Sequence, residues 1–104
     1  MRAICRVRLD KMRPALVLTR QAARGAMAKV TVAPITTTTK GLSSEVLVGR
    51  DNGLDHDCAV SLDNVLTVAV GALGRNVGYL SGEQEARLAR AVVLAYDLEV
   101  ALLD

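Results

Sequence analysis

Apolar residues fall into short runs and alternations through most of the chain, and into a helical period only near its end. Ile4, Val7 and Leu9 stand among arginines and predict a first strand. Ala15 to Thr19 forms a short apolar run after a turn containing Pro14, so the two segments read as a hairpin. Gln21 to Ala28, rich in alanine, predicts a brief helical or irregular connection. Lys29 to Ala33 alternates polar and β-branched residues as a half-buried strand does, and Pro34 is expected to end that strand or mark an edge. Glu45 to Val48, Cys58 to Leu62 and Arg75 to Leu80 read as further strands, with Asn64 to Val68 continuing the second of these past a bend. Between them lie a polar turn from Gly49 to Asp57 and one helical turn within Val70 to Gly74.

Ser81 and Gln84 have the spacing of a capping box, and Glu83 and Glu85 favour the positive end of a helix dipole. A helix is therefore expected to start there. Leu88, Ala91, Val92, Ala95, Leu98 and Leu102 recur at intervals suited to an apolar stripe, while Glu85, Arg87, Arg90 and Asp97 are placed to face water. The pattern predicts an α+β, mainly β domain: a barrel of roughly six short strands with a C-terminal helix.

Composition narrows the picture. A chain of 104 residues with 51% hydrophobic content fits one domain over 1–104. Two tyrosines, with no Phe and no Trp, leave Val, Leu, Ile and Ala to pack the core and nearly exclude base-stacking platforms. No apolar run approaches the roughly 18 residues of a membrane span, and Arg2, Arg6, Arg8, Asp10, Lys11 and Arg13 break up any secretory core, so a soluble cytoplasmic protein is expected. Charge divides unevenly along the chain. Residues 1–50 carry 10 Lys/Arg against 2 Asp/Glu, and residues 51–104 carry 3 against 9. That split can create a basic face that attracts phosphate, or can cancel if strands from the two halves interleave.

Cys5, Cys58 and His56 show no metal-ligand spacing, and the segment Asp51 to Asp57 lacks the alternating ligands and terminal Glu of a calcium loop. It reads as a polar turn, and no metal or cofactor is implied. The cysteines are expected to pack as small hydrophobes. Thr36 to Thr39 reads either as a β-branched strand end or as a hydroxyl-lined anion loop completed by Lys40.

Four segments taken together resemble the MazF/PemK family of toxins from bacterial toxin–antitoxin pairs: Arg13 to Thr19, Val32 to Thr37, Asp57 to Thr67 and Gly74 to Ser81. The resemblance implies an SH3-like, plasmid-maintenance-toxin barrel. It also implies metal-independent cleavage of single-stranded RNA, in which a 2′-hydroxyl attacks the adjacent phosphate and leaves 2′,3′-cyclic phosphate and 5′-hydroxyl ends. The family's catalytic pair matches Arg13 and Thr36. Thr19, Thr37, Asp63 and Asn64 match positions near the family's site, and Lys11 and Lys40 add phosphate attraction. Asn64 could read a base edge or cap a bend, and Asp63 could accept from an exocyclic amine or buttress Arg13. The family's long first loop is missing: only Asp10, Lys11 and Met12 precede Arg13, so no sequence preference carries over.

A guanidinium suits the negative charge of a pentacoordinate phosphorane, and a threonine hydroxyl adds a neutral hydrogen bond. Proton transfer is harder to assign, because free Arg titrates above about 12 and would need a depressed pKa or a relayed proton. The single histidine rules out a paired-histidine mechanism within one chain, and His56 lies in a turn where the family pattern puts no catalytic residue. The implied partners are single-stranded RNA, a second copy of the chain as a homodimer, and a cognate MazE-like antitoxin, with no membrane. Competing readings are a non-enzymatic toxin resembling the CcdB gyrase poisons, or a degenerate toxin acting only with its antitoxin as a repressor.

Overall fold

The computed structural model describes residues 2–99. Among the described residues there are seven strands: β1 (Ala3–Arg8), β2 (Met12–Val17), β3 (Lys29–Thr36), β4 (Glu45–Val48), β5 (Cys58–Ser61), β6 (Leu66–Ala69) and β7 (Leu73–Tyr79). Two helices, α1 (Gln21–Arg24) and α2 (Gly82–Ala95), complete the described chain with short 3₁₀ turns at Arg50–Asn52, Leu62–Asn64 and Val70–Ala72. Hydrogen-bonded order across the sheet is β4-β5-β3-β2-β1-β7, with β6 also on β3. All pairings are antiparallel. The mainly β barrel with its C-terminal helix is as expected, with one strand more than the pattern suggested.

Two prolines sit differently from expectation. Pro14 lies inside β2, opposite Arg6, and the hairpin turn is Leu9 to Lys11. The β2–β3 ladder begins only at Ala15, so the missing N–H of Pro14 removes no rung from it. Pro34 does not end β3. That strand pairs with β6 through Val32 and with β5 from Ile35, so Ala33 and Pro34 occupy the crossing between the two partners. A residue without a donor fits this gap, and the strand runs on to carry Thr36 to its end.

The sheet is buried on both faces. Ile4, Leu16, Ala33 and Ile35 point into a core closed by Leu88 and Ala91 of α2, while Ala3, Cys5, Val7, Ala15, Val17, Val30 and Val32 enter a second core covered by Leu66 and Val68 of β6 and by Leu73. Two-sided burial explains why Ala15 to Leu18 is a continuous apolar run. Cys5 and Cys58 are buried free thiols. Strands from the two halves of the chain pair throughout, β1 with β7 and β3 with β5 and β6, so charge is not divided by halves in space.

Helix α2 begins as expected: the Ser81 hydroxyl accepts from Gln84 N–H at 3.2 Å, and Gln84 Oε1 accepts from Ser81 N–H at 2.9 Å. Val92 and Ala95 pack against the first core. The apolar stripe stops sooner than its period suggests. Asp97 takes a left-handed conformation, φ 53°, and Leu98 N–H returns to the Val93 carbonyl at 2.9 Å, which ends the helix and leaves Leu98 exposed. Leu102 lies outside the described residues.

The same Gln84 holds the loop before β5. Asn52, 3% exposed, donates through Nδ2 to the Tyr79 carbonyl at 2.9 Å and to Gln84 Oε1 at 2.6 Å. Its Oδ1 accepts from Gly49 N–H and from Gln84 Nε2, both at 3.0 Å. Beside it, Gly53 (φ +85°) and Gly78 let the two backbones touch: a Cβ on Gly53 would lie 1.8 Å from the Val77 carbonyl oxygen, and one on Gly78 1.9 Å from that of Asn52. Replacing Asn52 with Ala strands several of these partners, so urea unfolding at neutral pH should show a loss of about 2–4 kcal/mol. A loss under about 1 kcal/mol would mean that water substitutes for the amide.

Candidate active site

The turn end of the β1–β2 hairpin, the end of β3, the loop before β5 and the middle of β7 converge on one cleft of about 530 Å³. Arg13 and Thr36, distant in sequence, both line it, together with Thr37. Arg6, Arg75, Asp10, Asp55 and His56 line it as well. Arg75 reaches the cleft because the β1–β7 register slips between Cys5 and Val7, setting Gly74 and Arg75 against Arg6. A pattern of apolar periods cannot reveal such a slip; the glycine before Arg75 is its one trace in the sequence.

Arg13 is fixed by Asp10 in a two-pronged pair, Nε to Oδ1 at 2.9 Å and Nη2 to Oδ2 at 3.1 Å. Asp10 in turn accepts at Oδ1 from Lys11 N–H at 3.0 Å. The hydrogen bond from Arg13 is the main cause holding the Asp10 carboxyl down at about 2. Reciprocally, the same contact pushes Arg13 above its ordinary value. This direction is opposite to the depression that a proton-transferring arginine requires, so the geometry favours a permanently charged Arg13. The buttress is Asp10, not Asp63, whose carboxylate accepts from the Ser44 hydroxyl instead.

Thr36 closes β3, and its Oγ1 accepts from Thr38 N–H at 3.1 Å. With a lone pair engaged by the backbone, the hydroxyl hydrogen is left to donate elsewhere. The threonine run is thus a strand end and then an exposed loop. A second groove of about 370 Å³ shares Pro34 and Thr36 with the first and is lined by Thr38, Lys40, Glu45, Ser61, Asp63 and Asn64, among others. Glu45 shapes it by accepting from the N–H groups of Lys40 and Leu42. Asn64 Nδ2 donates to Ser61 Oγ at 2.7 Å, which ties the bend after β5 and leaves the amide oxygen for any ligand.

Two residues matched to the family's site lie elsewhere. Thr19 stands at the far end of the hairpin, where its hydroxyl accepts from Thr31 N–H at 2.9 Å, and it lines neither groove. Lys11 is exposed in the hairpin turn and lines neither groove. Among the described residues, no three His, Cys, Asp or Glu side chains stand close enough to hold a metal ion. Nor is any described helix long and apolar enough to cross a membrane.

Residues 7–96 match the family model of PemK-like, MazF-like toxins of type II toxin–antitoxin systems. The chain belongs to this family. It is 50% identical over 99 residues to endoribonuclease MazF3 of Mycobacterium tuberculosis, spanning 95% of this chain and 96% of the relative. A 38% match over 87 residues, 82% of this chain and 79% of the relative, links it to the probable endoribonuclease MazF5 of the same species. The solved Mycobacterium tuberculosis toxin MazF-mt6 superposes with a TM-score of 0.92 at 49% identity, covering 94% of this chain and 99% of that one. A mycobacterial endoribonuclease solved with its cognate antitoxin shares the fold, TM-score 0.84 over 95% of each chain, at 23% identity. The matched residues include every residue that lines the arginine cleft except Arg6.

The pKa of Asp10 sets a pH expectation. Because it is depressed, the ion pair adds stability above the ordinary aspartate range and loses it as pH falls through about 2. Carbon-detected NMR of the Asp10 carboxyl should therefore give a midpoint near 2, and Arg13→Ala should return it toward the ordinary value near 4. An unshifted midpoint in the parent protein would show that the pair does not persist in solution.

Proposed function

We propose that the chain is an endoribonuclease toxin that cuts single-stranded RNA at selected sequences and is restrained by a cognate antitoxin. The observation that carries this reading is the convergence of Arg13 and Thr36 on one cleft with Arg6 and Arg75, in a chain half identical to an endoribonuclease over nearly its whole length. The reaction is attack by the 2′-hydroxyl on the neighbouring phosphorus with loss of the 5′-oxygen, and it requires no metal. Arg13, held in place by Asp10, bears on the phosphate as charge builds on its non-bridging oxygens. Thr36 donates its hydroxyl to the same group. Arg6 and Arg75 offset the carboxylates and draw the RNA backbone into the cleft.

RNA that crosses Thr36 enters the adjoining groove, where Lys40 attracts phosphate and the oxygens of Asn64 and Asp63 accept from a base amine. An acidic, extended antitoxin segment would compete for the same arginines. The protein acts in the cytoplasm as a homodimer with two equivalent sites.

Purified protein incubated in EDTA with a long mixed-sequence RNA should produce discrete cuts with 5′-hydroxyl ends. Arg13→Ala and Thr36→Ala should each slow cutting by about 10²- to 10³-fold without unfolding the protein. An uncut RNA would redirect the assignment to a protein-binding toxin or a repressor partner, and cutting by either variant as fast as by the parent would remove the site assignment. Asn64→Ala should leave cutting intact but relax preference at one base beside the cut by on the order of tenfold, read by mapping the ends.

A further inference from the structure

Between Thr36, the last residue of β3, and Glu45, the first of β4, the chain forms neither helix nor strand. Thr37 to Ser43 are exposed, and through Thr38, Lys40 and Leu42 this loop makes one wall of the groove beside Thr36. An exposed loop outside any sheet ladder keeps a definite shape only where local hydrogen bonds offset its entropy. At one end the Thr36 hydroxyl accepts from Thr38 N–H at 3.1 Å. At the other, Ser44 Oγ donates to Asp63 Oδ2 at 2.5 Å, and the Ser44 carbonyl accepts from Leu62 N–H at 3.1 Å. The middle is held by Glu45. Its Oε1 accepts from Lys40 N–H at 3.1 Å and from Leu42 N–H at 3.2 Å, and its Oε2 also accepts from Lys40 N–H at 3.3 Å. Gly41, at φ +71°, lies between the two donors and supplies the left-handed bend that turns both N–H groups toward one carboxylate. Glu45 is itself fixed by the β4–β5 ladder, where it stands opposite Ser61.

We propose that Glu45 is a positioning residue for RNA cleavage: it fastens the loop so that Lys40 stands at the groove beside Thr36 and holds a phosphate next to the cut. The inference rests on the ribonuclease reading above. A carboxylate lining an RNA groove repels phosphate when it faces the strand. Here both oxygens of Glu45 are turned to backbone N–H groups, so the negative charge is directed at the loop. A lysine on an unfastened loop must lose backbone freedom when RNA binds, whereas one whose backbone is already held loses only the freedom of its side chain. Glu45 thus acts through Lys40 and not on the reacting atoms. Its loss is expected to weaken RNA binding and to spare the chemical step at Arg13 and Thr36.

The test measures kcat on an RNA containing a single mapped cut, and Kd for the same RNA with a 2′-O-methyl group at that position, over a series of salt concentrations. Glu45→Ala should raise Kd about tenfold while kcat stays within about threefold of the parent. The slope of log affinity against log salt should flatten by about 0.7, the share of one phosphate contact on a single strand. Glu45→Gln keeps an oxygen to accept both N–H groups but carries no charge, and its Kd should stay within about threefold of the parent. Lys40→Ala should weaken binding as Glu45→Ala does, and the two together should cost no more than either alone. Gly41→Ala loosens the loop with Glu45 in place, because a Cβ there meets nothing within 4 Å but strains the left-handed backbone. It should raise Kd in the same way, which keeps the proposal tested if Glu45→Ala fails to fold. Overturning results are an unchanged Kd in the folded Glu45→Ala, tighter binding by both Glu45 variants, additive losses in the double variant, or a fall in kcat at constant Kd. A parent that cuts no RNA overturns the ribonuclease reading and this one with it, whereas a parent that cuts beside a Glu45→Ala of equal affinity and rate overturns this one alone.

Discussion

The paired amides of Asn52 and Gln84 are the contact on which the site depends. A buried amide with unmet donors or acceptors is costly, so Asn52 can occupy its position only while Gln84, Tyr79 and Gly49 answer it. Gln84 also donates to the Leu47 carbonyl, so one pair of side chains joins the 3₁₀ turn at Arg50–Asn52 to β4, β7 and the first turn of α2. The close approach of Gly53 to β7 adds a steric lock that no side chain at either glycine would allow. Leu54, Asp55 and His56 follow directly from this lock, and through it a loop from the middle of the chain faces a hairpin from its start.

Electrostatics in the cleft balances orientation against availability. Asp10 aims the Arg13 fork and keeps it charged, but it also occupies two donors that a phosphate would otherwise take. Arg6 and Arg75 offset that loss, giving the cleft three guanidinium groups against the carboxylates of Asp10 and Asp55. A site organised before the substrate arrives has little reorganisation to undergo as charge develops, which is the condition under which fixed donors are most effective.

Much of the fold was legible because local rules governed it. Ser81 and Gln84 start α2 through hydrogen bonds between near neighbours, and Glu45 to Val48 and Cys58 to Ser61 become strands where their apolar runs place them. Pro14 and Pro34 were misread for one reason. A proline breaks a strand only where its missing N–H would face a partner, and which partners stand beside it is set by the whole sheet. Leu98 fits the helical period, but the left-handed turn at Asp97 removes it from the helix.

The sequence by itself determined most of the elements and the resemblance to the family, because these rest on patterns within short segments, and Arg13 and Thr36 were singled out through that resemblance alone. Tertiary structure decided which charges meet. Asp10, three residues before Arg13, outcompetes Asp63 as its partner because the hairpin turn folds the carboxylate back onto the guanidinium, while Asp63 is drawn to Ser44. Thr19 lies six residues beyond Arg13, just past the end of the extended strand β2, which carries the chain away from the cleft. Arg6, His56 and Arg75 come together only through a register slip and a glycine-to-backbone contact between distant segments, and no periodicity along the chain encodes contacts of that range.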